Sequence, residues 1–143
     1  MAEVVRYFED VHEGEEAEVR SHLLTRTDLV AYAGASGDLN PMHHDEVKAK
    51  AAGQPSVFGH GMFSMGLLGS AISDFVGVGN LRRFQVRFAR QTWPEEKLHT
   101  RIVVTGKRTE GRDHLVDLDV RLHNDEGEEK VVGSATAVVP ARS

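Results

Sequence analysis

The chain has 143 residues, of which 40% are apolar and 27% are charged, and it carries a formal net charge of −5 with no cysteine. A chain of this length and composition can form one domain with its own core, and the lack of cysteine excludes disulfide frameworks, thiolate metal sites and cysteine nucleophiles. Nucleic-acid-binding proteins usually show a basic excess, which this chain lacks. A membrane span needs about 18 consecutive apolar residues, and the sequence contains no such run. Residues 1–10 lack the apolar stretch of a signal peptide. We therefore expect one domain, residues 1–143, in the cytoplasm, with neither nucleic acid nor membrane as a partner.

The first half of the chain predicts a short strand followed by helices. Residues 17–24 are mixed in character and fit a strand. Thr25 is placed to cap the start of a helix, since Asp28 follows three residues later and a carboxylate favours a helix N-terminus. The helical spacing of apolar residues continues to Ser36, where glycines end it, and residues 46–52 predict a second, shorter helix.

Residues 61–76 form the most apolar stretch of the chain and predict a long central helix. Their apolar side chains recur mostly at steps of three and four residues, and small residues fill most of the other positions. A helix with so little charge is expected to be buried on nearly all sides. We therefore predict that this helix forms the core against which the rest of the chain packs.

The second half of the chain changes to the two-residue period of β-strands. Phe84, Val86 and Phe88 alternate with polar residues. Three further strands are predicted, at residues 98–105, 115–122 and 131–139. Turn-forming residues stand at 110–111 and 124–127, and strands at this spacing indicate an antiparallel meander. One long helix followed by such a sheet indicates an α+β fold in which a curved antiparallel sheet wraps a central helix.

The segment Gly37-Asp38-Leu39-Asn40-Pro41-Met42-His43 concentrates the residues that can carry chemistry. Asp38 and His43 are five residues apart, and the turn predicted at Asn40-Pro41 can bring both side chains to one spot. A carboxylate and an imidazole that face the same water molecule form a general acid–base pair, because histidine changes charge near neutral pH. The alternative is that Asp38 and Asn40 only stabilise turns and that His43 lies on the surface.

This segment resembles the signature of the MaoC-like, R-specific enoyl-thioester hydratases, and a second segment supports the resemblance. Phe58-Gly59-His60-Gly61-Met62 is similar to the family's His-Gly-Met sequence at the start of the central helix. Tyr32 and Ala49 also fit the longer family pattern. The resemblance is strongest to the β-hydroxyacyl-thioester dehydratase subunits of actinobacterial fatty-acid elongation, and it implies a single hot-dog fold of the α+β class.

The resemblance implies a hydro-lyase that interconverts trans-2-enoyl and (R)-3-hydroxyacyl thioesters. The acyl group would be carried on coenzyme A or on a phosphopantetheine carrier protein, with no other cofactor. Asp38 and His43 would hold the catalytic water and exchange protons with it, and Asn40 would fix the loop. Two other functions stay open, a hot-dog acyl-thioesterase and a non-catalytic acyl-binding partner subunit of a heterodimeric dehydratase. The Asn-Pro turn argues against the first and the acid–base pair argues against the second.

The start of the central helix is the predicted site for the thioester group. The resemblance gives the backbone N–H of Gly61 the role of stabilising the thioester oxygen, which suits the positive end of a helix dipole. His60 and Met62 flank it and are further substrate-binding candidates, although the side chain of His60 could be a packed histidine with no chemical role. Some family members hold the water with a serine on this helix, and Ser64 and Ser70 are both candidates for it or for simple packing residues.

Two features bear on the partners of the protein. Arg82, Arg83, Arg87 and Arg90 form a local basic cluster. Such a cluster is usually solvated surface, but Arg83, Arg87 and Arg90 are also candidates for binding the phosphates of coenzyme A or a phosphopantetheine carrier protein. A single hot-dog sheet has an unpaired edge, which invites another chain, so we predict a homodimer or a heterodimer with a related hot-dog subunit.

Two other motifs are incomplete. Gly77-Val78-Gly79 begins like a dinucleotide-binding loop, but Arg82 stands where the third glycine belongs. His43-His44-Asp45 offers side chains that bind metals, but adjacent ligands without a further partner are a weak sign of a metal site. We therefore predict no nucleotide cofactor and no metal.

Overall fold

A computed structural model of the chain describes residues 5–142, in which a long helix lies against one antiparallel sheet. The helices are α1 (Arg26–Ser36), α2 (Glu46–Ala51) and α3 (Gly61–Val76), and two 3₁₀ turns span Phe8–Asp10 and Pro41–His43. The strands are β1 (Ser21–Leu23), β2 (Leu81–Phe88), β3 (Lys97–Glu110), β4 (Asp113–His123) and β5 (Glu129–Val138). The predicted helices and strands are present, although β1 is shorter than residues 17–24 and β3 is longer than residues 98–105.

The five strands form one sheet in the order β1-β3-β4-β5-β2. The predicted meander is confirmed for β3, β4 and β5, whose connecting turns are short and contain glycines with positive φ, Gly111 at 61° and Gly127 at 77°. It is wrong for β2, which pairs with β5 and not with β3. Residues 89–96 are long enough to cross the sheet, whereas the tight turns force the later strands to be neighbours.

Helix α3 contributes to the core on one side only. Its buried apolar residues are Leu68, Ala71, Ile72, Phe75 and Val76. Met62, Gly66, Ser70 and Asp74 are four residues apart and form an exposed row along the helix. The prediction that this helix is buried on nearly all sides is therefore wrong, because Gly66 and Ser70 are small residues that can face water as well as protein, and the charged Asp74 lies on the same side. No helix within residues 5–142 is both long and apolar enough to cross a membrane.

Local hydrogen bonds explain where α1 begins and ends. The Thr25 hydroxyl accepts from the Asp28 N–H at 3.1 Å, and the Asp28 carboxylate accepts from the Thr25 N–H at 2.9 Å, which confirms the predicted cap. The helix ends at Ser36, and Gly37 follows with a φ of 76°, a left-handed conformation that glycine adopts without strain. The chain therefore leaves the helix immediately before Asp38.

The close contact between β2 and β5 gives a test of the sheet order. A Cβ added at Gly133 would lie 2.1 Å from the Gln85 carbonyl oxygen and 2.8 Å from the Val86 Cα. Because these are backbone atoms of a paired strand, they cannot move aside without shifting β2. We predict that Gly133→Ala lowers the free energy of unfolding by about 1–3 kcal/mol, the usual cost of overpacking, as measured by urea denaturation.

Gly66→Ala is the matched control, because within residues 5–142 no atom outside the adjacent residues and the backbone of the same helix lies within 4 Å of a Cβ at that exposed position. Alanine favours a helix over glycine by about 1 kcal/mol, so this variant should be as stable as the wild type or more stable. A Gly133→Ala protein with wild-type stability would contradict the pairing of β2 with β5.

Candidate active site

Hydrogen bonds from side chains to the backbone hold the loop after α1 in shape. The Asp38 Oδ1 accepts from the Asn40 N–H at 3.2 Å, and the Asn40 Oδ1 accepts from the Met42 N–H at 3.1 Å. Asp and Asn stabilise tight turns in this way because their short side chains replace backbone acceptors. The 3₁₀ turn that follows ends at His43, and the bend brings that residue back toward Asp38.

The structure brings Asp38 and His43 together. The Asp38 Oδ2 lies 3.8 Å from the His43 Nε2. His43 is 8% exposed, so it is not a surface residue, whereas the Asp38 side chain is 51% exposed. A separation of 3.8 Å exceeds a direct hydrogen bond, and one water molecule can contact both groups at once.

A hydrogen bond to Phe58 selects the tautomer of the neutral His43 ring. The His43 Nδ1 lies 2.7 Å from the Phe58 carbonyl oxygen. A carbonyl oxygen only accepts, so Nδ1 carries the hydrogen and, in the neutral ring, Nε2 is the unprotonated nitrogen. Because Nε2 is the atom that faces Asp38, the neutral ring directs a proton acceptor toward the carboxylate.

A cavity of about 660 Å³ opens beside His43 and the first turn of α3. Its aromatic lining residues are Phe58, Phe88 and Trp93. Gly61 also lines it, and as the first residue of the helix its N–H has no partner within the helix. The helix dipole adds positive potential at the same point. The cavity therefore combines a proton acceptor, a free backbone donor and apolar surface.

Of the two serine candidates on α3, the structure brings only Ser64 to this cavity. Ser64 is 2% exposed and lines the cavity wall close to Gly61. Ser70 is exposed and instead lies 3.5 Å from the Arg20 Nη1. The Met62 side chain is 56% exposed and does not line the cavity, because it belongs to the exposed row of the helix.

The ring of His60 contacts both Asp38 and His43 but does not line the cavity. It is 1% exposed and stacks on His43, with 3.8 Å between the ring centroids and 27° between the ring planes. Its Nε2–H donates to the Asp38 carbonyl oxygen at 3.2 Å. Burial lowers the pKa of His60 below its usual value, so this ring is neutral near pH 7.

Another part of the cavity wall contains a buried lysine that the sequence did not reveal. The Lys130 side chain is 0% exposed, and its Nζ donates to the Gln91 carbonyl oxygen at 2.9 Å and to Glu128 at 2.5 Å. It also lies 3.0 Å from Glu96. This ammonium group lowers the pKa of the Glu128 carboxyl. In the sequence, a lysine next to glutamates is typical of a solvent-exposed surface. Its burial could not be predicted, because its partner Glu96 is distant in the chain.

Of the arginine candidates, only Arg90 lines the cavity, where it lies 3.5 Å from Glu128. Arg83 and Arg87 are exposed on β2 and alternate with side chains that pack on the core. Because alternate residues of a strand point to opposite faces, these two arginines lie on the outer face of the sheet. Arg83 donates to the Gln85 side chain there at 2.6 Å.

Asp38, His43 and His60 also place one carboxylate and two imidazole groups within 4.8 Å of one another. Because the two rings are stacked, with 27° between their planes, their lone pairs lie in nearly parallel planes, whereas metal ligands must converge on one ion. His44 donates to a loop carbonyl at 3.2 Å and Asp45 caps α2, so neither adds a ligand to this group. The geometry suits proton transfer better than metal binding.

Known proteins resemble this chain in sequence and in structure. The family model described as MaoC like domain matches residues 8–125. An (R)-specific enoyl-CoA hydratase of Rhodospirillum rubrum is 27% identical over 141 residues, which cover 97% of this chain and 95% of that protein. The unliganded R-hydratase PhaJ1 of Pseudomonas aeruginosa superposes with a TM-score of 0.82 at 27% identity, covering 95% of this chain and 86% of that one.

A much longer fungal protein contains a similar region. The fatty acid synthase β subunit TOXC of Cochliobolus carbonum is 31% identical over 113 residues, or 73% of this chain. The chain spans only 5% of the length of that relative. Since the family model matches most of the chain and the superposed hydratase has the same architecture, the chain belongs to the MaoC-like domain family and has its hot-dog fold.

Proposed function

We propose that the protein is a hydro-lyase that adds water to trans-2-enoyl thioesters and removes it from (R)-3-hydroxyacyl thioesters. The Rhodospirillum rubrum relative, which matches the chain over nearly its whole length, is an (R)-specific enoyl-CoA hydratase. The observation that carries the proposal is the 3.8 Å separation between the His43 Nε2 and the Asp38 carboxylate. In the neutral ring this nitrogen carries no hydrogen, because Nδ1 donates to the Phe58 carbonyl oxygen. His43 lines a cavity of a size that suits an acyl thioester. Asp38 is next to His43 but is not part of the cavity lining.

In the proposed reaction, Asp38 and His43 activate one water molecule. A water held between the His43 Nε2 and the Asp38 Oδ2 gives a proton to Nε2 as its oxygen bonds to C3 of the enoyl group. The pair returns a proton to C2, so the enzyme ends as it began and one water has been added. The Phe58 carbonyl accepts from Nδ1 throughout, and it stabilises the positive ring that forms in between.

Negative charge that develops on the thioester oxygen needs a hydrogen-bond donor. Gly61 lines the cavity and offers the first N–H of α3, so we assign it this role. A Cβ at Gly61 would lie 3.2 Å from the Phe88 ring, and a larger residue would narrow the approach to this N–H. Ser64 lines the same cavity and is proposed to help hold the water.

The acyl group is proposed to reach the cavity on coenzyme A or phosphopantetheine, which is part of the substrate and not a resident cofactor. Arg90 stands at the cavity with a side chain that is 65% exposed, so it is the arginine placed to meet an anionic carrier. Arg83 and Arg87 lie on the outer face of β2, and only a carrier large enough to extend across that strand, such as a carrier protein, would reach them.

The proposed reaction is tested by two assays run in parallel. The purified protein should hydrate crotonyl-CoA and longer trans-2-enoyl-CoA substrates, seen as loss of enoyl absorbance and formation of the (R)-3-hydroxyacyl product. A free-thiol assay should detect no release of coenzyme A. Thiol release that matches substrate consumption would identify a thioesterase instead. A chain that is inactive alone but activates a second hot-dog subunit would identify a non-catalytic partner.

Substitutions at the pair test the assignment of Asp38 and His43. Asp38→Asn and His43→Ala should each lower kcat by about a hundredfold or more, the usual scale of general acid–base catalysis. Asp113→Asn and His12→Ala are the matched controls, because both residues are exposed and lie in other parts of the chain. Circular dichroism verifies folding, and a folded variant of either residue with wild-type kcat would remove that residue from the mechanism.

We also propose a dimer that forms through β2. The sheet has β1 and β2 at its edges, and β1 has 3 residues whereas β2 has 8. A long unpaired edge readily pairs with another chain. Light scattering should give twice the mass of the chain, or that of one copy each of this chain and a related hot-dog subunit. A monodisperse, fully active monomer would contradict the dimer.

A further inference from the structure

His60 stands at the start of α3, but its side chain serves neither the helix nor the cavity. It occupies the N-cap position, where a polar side chain usually accepts from the first backbone N–H groups, yet it makes no such bond. It is 1% exposed and does not line the cavity. A buried polar side chain calls for hydrogen-bond partners. The His60 Nε2 has one in Asp38, whereas the buried Nδ1 has none within residues 5–142, and the ring also stacks on His43.

One atom of the ring ties the loop after α1 to the start of α3. The His60 Nε2–H donates to the Asp38 carbonyl oxygen at 3.2 Å, although the two residues are 22 positions apart. The Asp38 side chain is half exposed, so few protein atoms surround its carboxylate. The position of that carboxylate therefore depends on how firmly the Asp38 backbone is held.

The face of the same ring supports His43. The two ring centroids are 3.8 Å apart, Tyr32 packs edge-on against His60 at 4.9 Å, and Phe58 packs edge-on against His43 at 5.1 Å. In this row of four rings, each ring restricts the rotation of its neighbour. His60 thus contacts Asp38 through its edge and His43 through its face.

His60 can serve this purpose because it stays uncharged. Burial lowers its pKa, so the ring carries no positive charge near neutral pH. A charged ring stacked on His43 would oppose the arrival of a proton there, because like charges in contact repel. The neutral ring of His60 packs against His43 without this electrostatic repulsion.

We propose that His60 is the positioning residue of this site, and that its hydrogen bond to Asp38 and its stack on His43 together fix the 3.8 Å gap between the two groups. The proposal rests on the hydratase function argued above. His60 acts through Asp38 and His43 and makes no contact with the substrate.

Two substitutions separate the two contacts. His60→Gln keeps an N–H donor near the position of Nε2 but removes the ring, whereas His60→Phe keeps a ring but removes the donor. Each should lower kcat by about ten- to a hundredfold, since a small misplacement of reacting groups has that effect. The KM for crotonyl-CoA should change by less than about threefold, because the lining of the cavity is intact. His12→Gln, the same substitution at an exposed histidine, should change neither constant.

Nuclear magnetic resonance of the wild-type protein tests the geometry without any variant. It should show the Nε2–H tautomer of His60 at neutral pH and through-space contacts between the rings of His43 and His60. Missing ring contacts, or wild-type kcat in both folded variants, would overturn the proposal for His60 alone. A wild-type protein that shows these contacts but hydrates no enoyl-CoA would instead refute the proposed function, and with it the catalytic meaning of the contacts.

Discussion

The hydrogen bond from the His43 Nδ1 to the Phe58 carbonyl oxygen, 2.7 Å long, determines what the rest of the site can do. It fixes which nitrogen carries the hydrogen, and so it leaves the proton acceptor on the side of Asp38. A ring rotated by 180° would place a carbon atom at each of these two positions, so neither Phe58 nor Asp38 would face a ring nitrogen. The tight loop, the stacked His60 and the start of α3 all place their groups around the nitrogen that this bond leaves free.

The fold makes this bond possible because the segment that precedes α3 is hydrogen-bonded both to the loop that carries His43 and to the segment after β2. The Phe58 N–H donates to the Met42 carbonyl oxygen at 3.1 Å, and the Gly59 N–H donates to the Thr92 carbonyl oxygen at 2.8 Å. A Cβ at Gly59 would lie 2.1 Å from the Thr92 hydroxyl oxygen, so glycine permits the close approach. The loop that carries His43, the start of α3 and the segment after β2 therefore meet at one point, and the cavity opens there.

The features that were predicted from the sequence depend on neighbours in the chain, and those that were missed depend on distant contacts. The cap formed by Thr25 and Asp28 and the turn at Asn40 can be inferred from a few adjacent residues, as can the bounds of α3. The pairing of β2 with β5 could not be inferred in this way, because it depends on the long connection after β2 and on a close contact between the two strands. The buried side chain of Lys130 depends on Glu96, and no local pattern links these two residues.

The central claim is that Asp38 and His43 act on the same oxygen atom beside the first N–H of α3. The most direct measurement is a crystal structure of the Asp38→Asn variant with a bound (R)-3-hydroxyacyl-CoA. We expect the 3-hydroxyl oxygen within hydrogen-bond distance of the His43 Nε2, and the thioester oxygen on the Gly61 N–H. A product whose hydroxyl group lies away from both residues, or a His43 ring with Nε2 turned toward Phe58, would contradict it.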